Sequence, residues 1–215
     1  KPTVFTAHIE FAGQVVKLNV TDPVITAGVS IKKTGYAQTM NNNVMRWTVS
    51  GVRNDSTTSL QSFYWRDTLP TDAVRLTRLV TGTYSTTQTY KVTFTTNLNS
   101  QWRTAYDNLS TAKNYTLDMS SAALGLASNE YVTQFMLSFG IVPAGFHQLT
   151  NATVDAQTLY ALTNGYKFTN KADVGGLLGG NWVQSIARWT TSVYSHYVPA
   201  KPAAPKSPKL PRTGY

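Results

Sequence analysis

The sequence predicts an all-β chain, folded as an immunoglobulin-like antiparallel β-sandwich with a Pro/Lys-rich C-terminal tail. Three observations carry this prediction. Apolar residues alternate with polar ones in many short stretches, turn-forming residues separate those stretches, and Thr, Ser, Asn, Tyr and Val dominate a chain whose only glutamates are Glu10 and Glu130. Many short strands at this spacing are typical of a sandwich, and 215 residues suffice to bury a sizeable core.

Each predicted strand has the period of two that places alternate side chains on one face. The first two, Val4–Glu10 and Val15–Val20, form a hairpin. The clearest later strands are Val44–Val49, Leu60–Trp65, Thr89–Phe94, Tyr131–Phe139, Tyr166–Ala172 and Trp182–Trp189. Turn signals lie at Asn54-Asp55, Leu69–Asp72, Thr81-Gly82, Pro143–Gly145, Asn164-Gly165 and Gly175-Gly176. A helical pattern occurs at Met119–Leu126, enough for one or two turns.

The domain organisation follows from breaks in these patterns. Residues 1–24 are predicted to be the end of a preceding domain or an N-terminal hairpin, because Thr21-Asp22-Pro23 interrupts the strand pattern. Residues 25–198 form the sandwich, and 199–215 form a linker. A single larger sandwich that includes the hairpin is the alternative.

Composition narrows the function classes. The chain has no cysteine, so disulfides, thiolate metal sites and cysteine nucleophiles are excluded. Its formal charge is +9, but the basic residues are scattered and four of them lie in the tail, without the aromatic interleaving of a nucleic-acid surface. We therefore expect no nucleic-acid partner, and contact with anionic wall polymers or simple solvation explains the charge.

Signs of catalysis or cofactor binding are weak. His8, His147 and His196 are too dispersed to predict a metal site, the few acids offer little material for a glycosidase pair, and Gly175–Gly180 lacks the spacing of a nucleotide loop. We predict no enzyme activity, no catalytic residue, no metal and no cofactor. A structural calcium ion held by loop oxygens is left open by the sequence.

The last residues carry the most specific motif. Leu210, Pro211, Arg212, Thr213 and Gly214 read L-P-x-T-G, after a Pro/Lys-rich run that is typical of a semi-rigid extended spacer. L-P-x-T-G is the recognition sequence of sortases, which join proteins to the peptidoglycan of Gram-positive bacteria. The motif predicts acyl transfer through Thr213. We expect a fragment of a longer, extracellular, wall-anchored protein, with no embedded membrane segment in this part.

Three short pieces lie in a suggestive order: Ile31–Gly35, then Trp65–Pro70, then Phe168–Ala172. Together with the stretch between them, they resemble the isopeptide-forming domains of Gram-positive fimbrial subunits and adhesins, over residues 28 to 198. The resemblance implies a spontaneous amide bond between a lysine on the first strand and an asparagine on the last, promoted by an acid. Carried over, the lysine is Lys33, the asparagine Asn170 and the acid Asp67, with Glu130 as the alternative acid.

Strand parity supports this placement independently. Lys33 shares its face with Ile31, Asp67 with Trp65, and Asn170 with Phe168 and other apolar residues. Burial favours the neutral forms of an amine and a carboxylic acid, and the reaction needs both. The ordinary explanation is also open: a solvated lysine at a strand end, an aspartate that caps a turn, and an asparagine at a bulge.

Three functions are compatible with these residues. The first is a non-enzymatic stalk, adhesin or fimbrial module, anchored by sortase and stiffened by the amide bond. The second is a module that binds a glycan or a host matrix protein through exposed aromatics, with residues 95–129 as the expected location; a further ligand of this kind is expected for upstream domains. The third is an accessory domain of a wall-bound enzyme.

Overall fold

The computed structural model describes the backbone of residues 4–11, 14–21, 25–35, 38–39 and 44–194, and the side chains of residues 25–35 and 44–193. The predicted linker and the five residues of the sortase motif lie outside the described residues. Within them the secondary structure is entirely strands, turns and irregular segments, so the all-β prediction is confirmed.

Sixteen strands are present in the described chain. In order they are β1 Val4–Phe11, β2 Gln14–Thr21, β3 Val29–Thr34, β4 Gln38–Thr39, β5 Val44–Asn54, β6 Leu60–Thr68, β7 Val74–Val80, β8 Thr83–Tyr84, β9 Thr89–Thr96, β10 Arg103–Ser110, β11 Thr116–Asp118, β12 Val132–Val142, β13 Gln148–Thr150, β14 Ala152–Thr158, β15 Lys167–Leu178 and β16 Asn181–Tyr194.

Two sheets face each other across the core, and their arrangement confirms the predicted antiparallel sandwich. The large sheet has the order β10-β9-β12-β6-β15-β16-β4, and the small sheet has the order β11-β7-β14-β5-β3. All neighbouring strands are antiparallel except β16 and β4, which pair in parallel. β3 lies at the edge of the small sheet and packs against β15 and β16 of the large one.

The predicted N-terminal hairpin exists as β1 and β2, which pair with each other as a separate two-stranded sheet. Whether residues 1–24 belong to a preceding domain stays a prediction, as do the other domain bounds. No helix long and apolar enough to cross a membrane occurs in the part of the chain that the structure describes.

Alternation of side chains fills the core, as the sequence predicts. Along β5 the buried positions include Met45, Trp47 and Val49, each fully inaccessible to solvent, whereas the residues between them are exposed or half-buried. Hydrophobic burial of this kind supplies most of the stabilisation of a sandwich.

Two local predictions were wrong. Gly175 and Gly176 do not form a turn but lie inside β15, and Gly179 and Gly180, both with positive φ, make the turn instead. The reason is close packing: a Cβ on Gly175 would lie 2.9 Å from the Tyr64 ring and one on Gly176 would lie 2.9 Å from Leu60 Cβ. The segment 119–126 contains hydrogen-bonded turns rather than a helix.

The outer face of the small sheet carries a charge cluster that no local sequence pattern predicts. Asp155 on β14 accepts hydrogen bonds from Arg46 Nε at 2.7 Å and from Arg78 Nε at 2.8 Å, on the two flanking strands. Burial acts to raise the pKa of Asp155, but the two guanidinium groups outweigh it and the pKa lies below its usual value. This cluster ties three strands together across the sheet.

Candidate functional site: a buried Lys-Asp-Asn cluster

The cluster lies at one end of the sandwich, where three strands bring one polar side chain each into the core. Lys33 is the fifth residue of β3, Asp67 is next to last in β6, and Asn170 is the fourth residue of β15. β6 and β15 are antiparallel neighbours, with Asp67 opposite Ala172, so the end of one strand meets the start of the other. Lys33 comes from the opposite sheet.

Parity places all three inward, as predicted. Lys33 is 6% exposed, and Asp67 and Asn170 are completely inaccessible. The neighbouring Lys32 and Thr169 are exposed, while Lys171 is half-buried. The solvated-lysine explanation is therefore excluded for Lys33.

Lys33 and Asp67 are in direct contact. The amine Nζ donates a hydrogen bond to Asp67 Oδ2, and both side chains are fully shielded from water. Two full charges in such a place carry a large desolvation cost. Transfer of one proton from nitrogen to oxygen converts the pair into a neutral amine and a neutral acid. Burial raises the pKa of Asp67, although contact with Lys33 opposes the rise.

Asn170 completes the cluster without satisfying its own polar groups. It is near enough to Asp67 to act against the rise that burial causes in the pKa of that carboxyl, yet neither its Oδ1 nor its Nδ2 makes a hydrogen bond of good geometry. Asp67 Oδ1 is likewise unpartnered. Buried polar atoms without partners are rare, since each costs about 1–3 kcal/mol. Here three of them belong to two side chains, Asp67 and Asn170, and the first of these contacts the amine of Lys33.

Aromatic side chains seal the cluster. The centroid of the Trp47 ring lies 5.7 Å from Lys33 Nζ, and the rings of Trp47 and Phe168 pack in a T-shaped arrangement with 6.4 Å between their centroids. Gly35, just after β3, lies between Trp47 and Trp189: a Cβ there would be 2.7 Å from the Cδ1 atom of each. The glycine of the Lys-Thr-Gly sequence thus lets the chain leave the site between two indoles.

Glu130, the alternative acid, lies elsewhere. Its Oε1 accepts hydrogen bonds from Thr96 Oγ1 at 2.7 Å and from Arg103 Nη2 at 2.5 Å. Among the described residues, the carboxylate in contact with Lys33 is that of Asp67. One detail of the prediction was wrong: Asn170 is not on the last strand, because β16 follows β15 as a long hairpin partner.

The cluster contains a single acid and no histidine. The only acid in the cluster is engaged by the amine, and the described residues contain no group of three or more His, Asp or Glu side chains placed to hold a metal ion. The reactive groups of the cluster itself are an amine, a carboxyl and a carboxamide.

Comparisons with known proteins give distant likenesses only. No protein-family model and no curated protein matches the sequence. The solved structures that match include the collagen-binding domain of a Staphylococcus aureus adhesin, at 13% identity and a TM-score of 0.38, covering 78% of this chain and 99% of that one.

Two further matches are of a similar kind. The collagen-binding subdomain of the Enterococcus faecalis surface protein ACE has 12% identity and a TM-score of 0.35, and covers 77% of this chain and 95% of its own. The Escherichia coli fimbrial subunit AggA has 13% identity and a TM-score of 0.26, with 79% and 95% covered. Likenesses at this level establish neither a family nor a ligand for the chain.

Proposed function

We propose that this chain is a non-enzymatic module of an extracellular surface protein of a Gram-positive bacterium, serving as a stalk, adhesin or fimbrial unit. In this proposal a sortase attaches it to peptidoglycan through Thr213, and an amide bond between Lys33 and Asn170 stiffens it. The observation that carries the proposal is the sealed cluster, in which an amine and a carboxyl touch beside an unsatisfied carboxamide.

The chemistry of the bond follows from these groups. Neutral Nζ of Lys33 attacks Cγ of Asn170, the Cγ–Nδ2 bond breaks, and Nδ2 leaves as ammonia with the proton that Nζ gives up. Protonated Asp67 hydrogen-bonds the carboxamide and relays that proton from Nζ to Nδ2, so that Asp67 is protonated again at the end of the reaction. If the buried amine and carboxamide are held together in this dry site, their effective concentration rises to the level that an unreactive amide needs. The product is a neutral amide, so the cost of burying a charged pair disappears.

The bond has a mechanical consequence. It would join β3 to β15, which lie in opposite sheets, so a pull applied to the C-terminal end is carried across the sandwich by covalent bonds. A chain without cysteine has no disulfide for this purpose.

Intact mass of the purified, denatured protein tests the proposal. We expect a mass below that of the sequence by one ammonia, and the full sequence mass for Lys33→Met and Asn170→Leu. Lys32→Met is the matched control, because Lys32 is the exposed neighbour on the same strand and its loss should leave the deficit intact. Asp67→Asn should slow or prevent the reaction. A wild-type protein at full sequence mass would refute the bond.

Anchoring is tested separately. A sortase incubated with the protein and an amine-bearing fluorescent probe should cleave the Thr213–Gly214 bond, release Gly214-Tyr215 and leave the probe on the Thr213 carbonyl. Thr213→Ala is the control and should remain unlabelled. Absence of labelling on the wild-type chain would remove the wall-anchored part of the proposal while leaving the amide bond untouched.

A further inference from the structure

A groove crosses the outer face of the large sheet, on the side away from the Lys-Asp-Asn cluster. It has a volume of about 670 Å³, within the range typical of ligand sites, roughly 300–1,000 Å³. We call it the outer groove. Its lining residues come from the five strands β6, β9, β10, β12 and β16 and include Ser62, Tyr64, Arg66, Lys91, Trp182 and Gln184. The sequence predicted a ligand site with exposed aromatic residues within residues 95–129, but Asp107 is the only residue of that segment that lines the groove.

Strained backbone surrounds the outer groove. Ser62 and Asn108 are the two non-glycine residues with positive φ in the described chain, at 51° and 54°. Ser62 lines the groove, and Asn108 follows Asp107, which also lines it. Each lies where the strand register shifts, and Gly140, with φ of 73°, marks a third shift in β12. Such bulges and strain concentrate at ligand sites, where they aim side chains.

One end of the outer groove is built from fixed polar groups. The Tyr64 hydroxyl donates to Asp173 Oδ2 at 3.0 Å and accepts from Gln184 Nε2 at 2.9 Å. Arg66 binds Asp173 through Nε and Nη2, both at 2.9 Å. Gly175 permits this arrangement, since a Cβ there would lie 2.9 Å from the Tyr64 hydroxyl. The network orients Gln184 and Arg66 before any ligand arrives.

An indole lies beside this network. Trp182 packs edge-to-face on Tyr64, at 5.9 Å between ring centroids, and stays 55% exposed. An indole that is held from one side leaves its remaining ring surface free to stack on an apolar face of a ligand. The carboxamide of Gln184 and the guanidinium group of Arg66 lie in the same groove and can hydrogen-bond a ligand beside the indole.

Charge and location narrow the ligand class. Arg66 and Lys91 are balanced by Asp173 and Asp107, so the groove is formally neutral although the chain carries +9. An anionic polymer would find no excess of positive charge there. The groove crosses a sheet face rather than following a free edge, so a peptide cannot add to it as a strand.

We propose that the outer groove binds a neutral oligosaccharide, with Trp182 stacked on the apolar face of one sugar ring and Gln184, Arg66 and the groove's hydroxyl groups bonded to sugar hydroxyls. From β10 to β16 the groove spans five strand spacings, roughly 24 Å at about 4.8 Å each. That length suits an extended chain of several sugars rather than a single one. The site is separate from the Lys33–Asn170 bond and does not depend on it.

An array of neutral, sialylated and sulfated glycans, probed with the whole protein, tests the proposal. We expect binding to neutral members that persists at high salt, and an affinity lower by at least about tenfold for Trp182→Ala. Trp102→Ala is the matched control, since Trp102 is 40% exposed but lies outside the groove, and it should bind as the wild type does. Tyr64→Phe keeps the ring, loses the hydroxyl and should also bind less tightly.

Circular dichroism and intact mass of each variant separate binding from folding and from the amide bond. No binding to any neutral glycan would overturn the proposal. So would binding that survives Trp182→Ala, or binding restricted to anionic glycans and lost at high salt, which would point to the basic surface instead. Binding to a matrix protein that Trp182→Ala abolishes would replace the oligosaccharide with a protein ligand and equally refute it.

Discussion

Replacement of Asn170 by leucine has opposite effects on stability depending on whether the amide bond exists. The two side chains are similar in volume, and Asn170 is fully buried. A bond between positions 33 and 170 closes a loop of about 140 residues, which by chain entropy stabilises the folded state by about 5 kcal/mol. Asn170→Leu removes it and should lower the free energy of unfolding by that amount.

Without the bond, Asn170→Leu should change the free energy of unfolding in the opposite direction. The carboxamide of Asn170 then remains a buried group without hydrogen-bond partners, which costs about 1–3 kcal/mol. Leucine removes that cost and adds apolar contact with its surroundings. In that case Asn170→Leu should be neutral or more stable than the wild type.

Urea unfolding followed by tryptophan fluorescence measures the difference. We expect a large fall in the midpoint, and a melting temperature lower by about 10–20 °C. Thr169→Val is the control, because Thr169 is exposed on the same strand and surface changes usually stay within about 0.5 kcal/mol. An Asn170→Leu protein as stable as the wild type would contradict the stabilisation calculated for the bond, whereas the intact mass decides whether the bond forms.

Three further predictions concern other parts of the fold. The pKa of Asp155 is lowered in the folded state, so its carboxylate stabilises the protein above the unfolded pKa of about 4, and this stabilisation is lost as the pH falls through the folded pKa. Urea midpoints measured between pH 7 and 3 should therefore fall less steeply for Asp155→Asn than for the wild type. Equal slopes would argue against a stabilising role of the Asp155 carboxylate. Ser62→Gly should raise stability by about 1 kcal/mol, because glycine adopts positive φ without strain, and a lower unfolding midpoint would show that the serine side chain matters more. Gly35→Ala should destabilise by about 1–3 kcal/mol in thermal melts, since its Cβ would overlap Trp47 and Trp189; an unchanged melting temperature would mean that the indoles move aside.

The sequence alone determined the strand content and the inward direction of the cluster residues. Alternation is a local property: Lys33, Asp67 and Asn170 each lie two residues from an apolar neighbour on the same strand, and a period of two fixes which face they share. Glycine pairs were less reliable as predictors of turns. Gly175 and Gly176 look like a turn because glycine is frequent there, whereas their actual role is to let Tyr64 and Leu60 approach the backbone.

Only the tertiary structure decided which residues meet. The contact of Lys33 with Asp67 joins opposite sheets, and the separation of Glu130 from it depends on strand order, which no local pattern encodes. The outer groove is a further case. Tyr64 is more than 100 positions from Asp173 and Gln184 in the sequence, although the three residues lie on neighbouring strands, and the bulges that shape the groove are backbone features without a distinctive residue signature. Local propensity determines elements; register and packing determine sites, because they depend on pairs of residues that are distant in the chain.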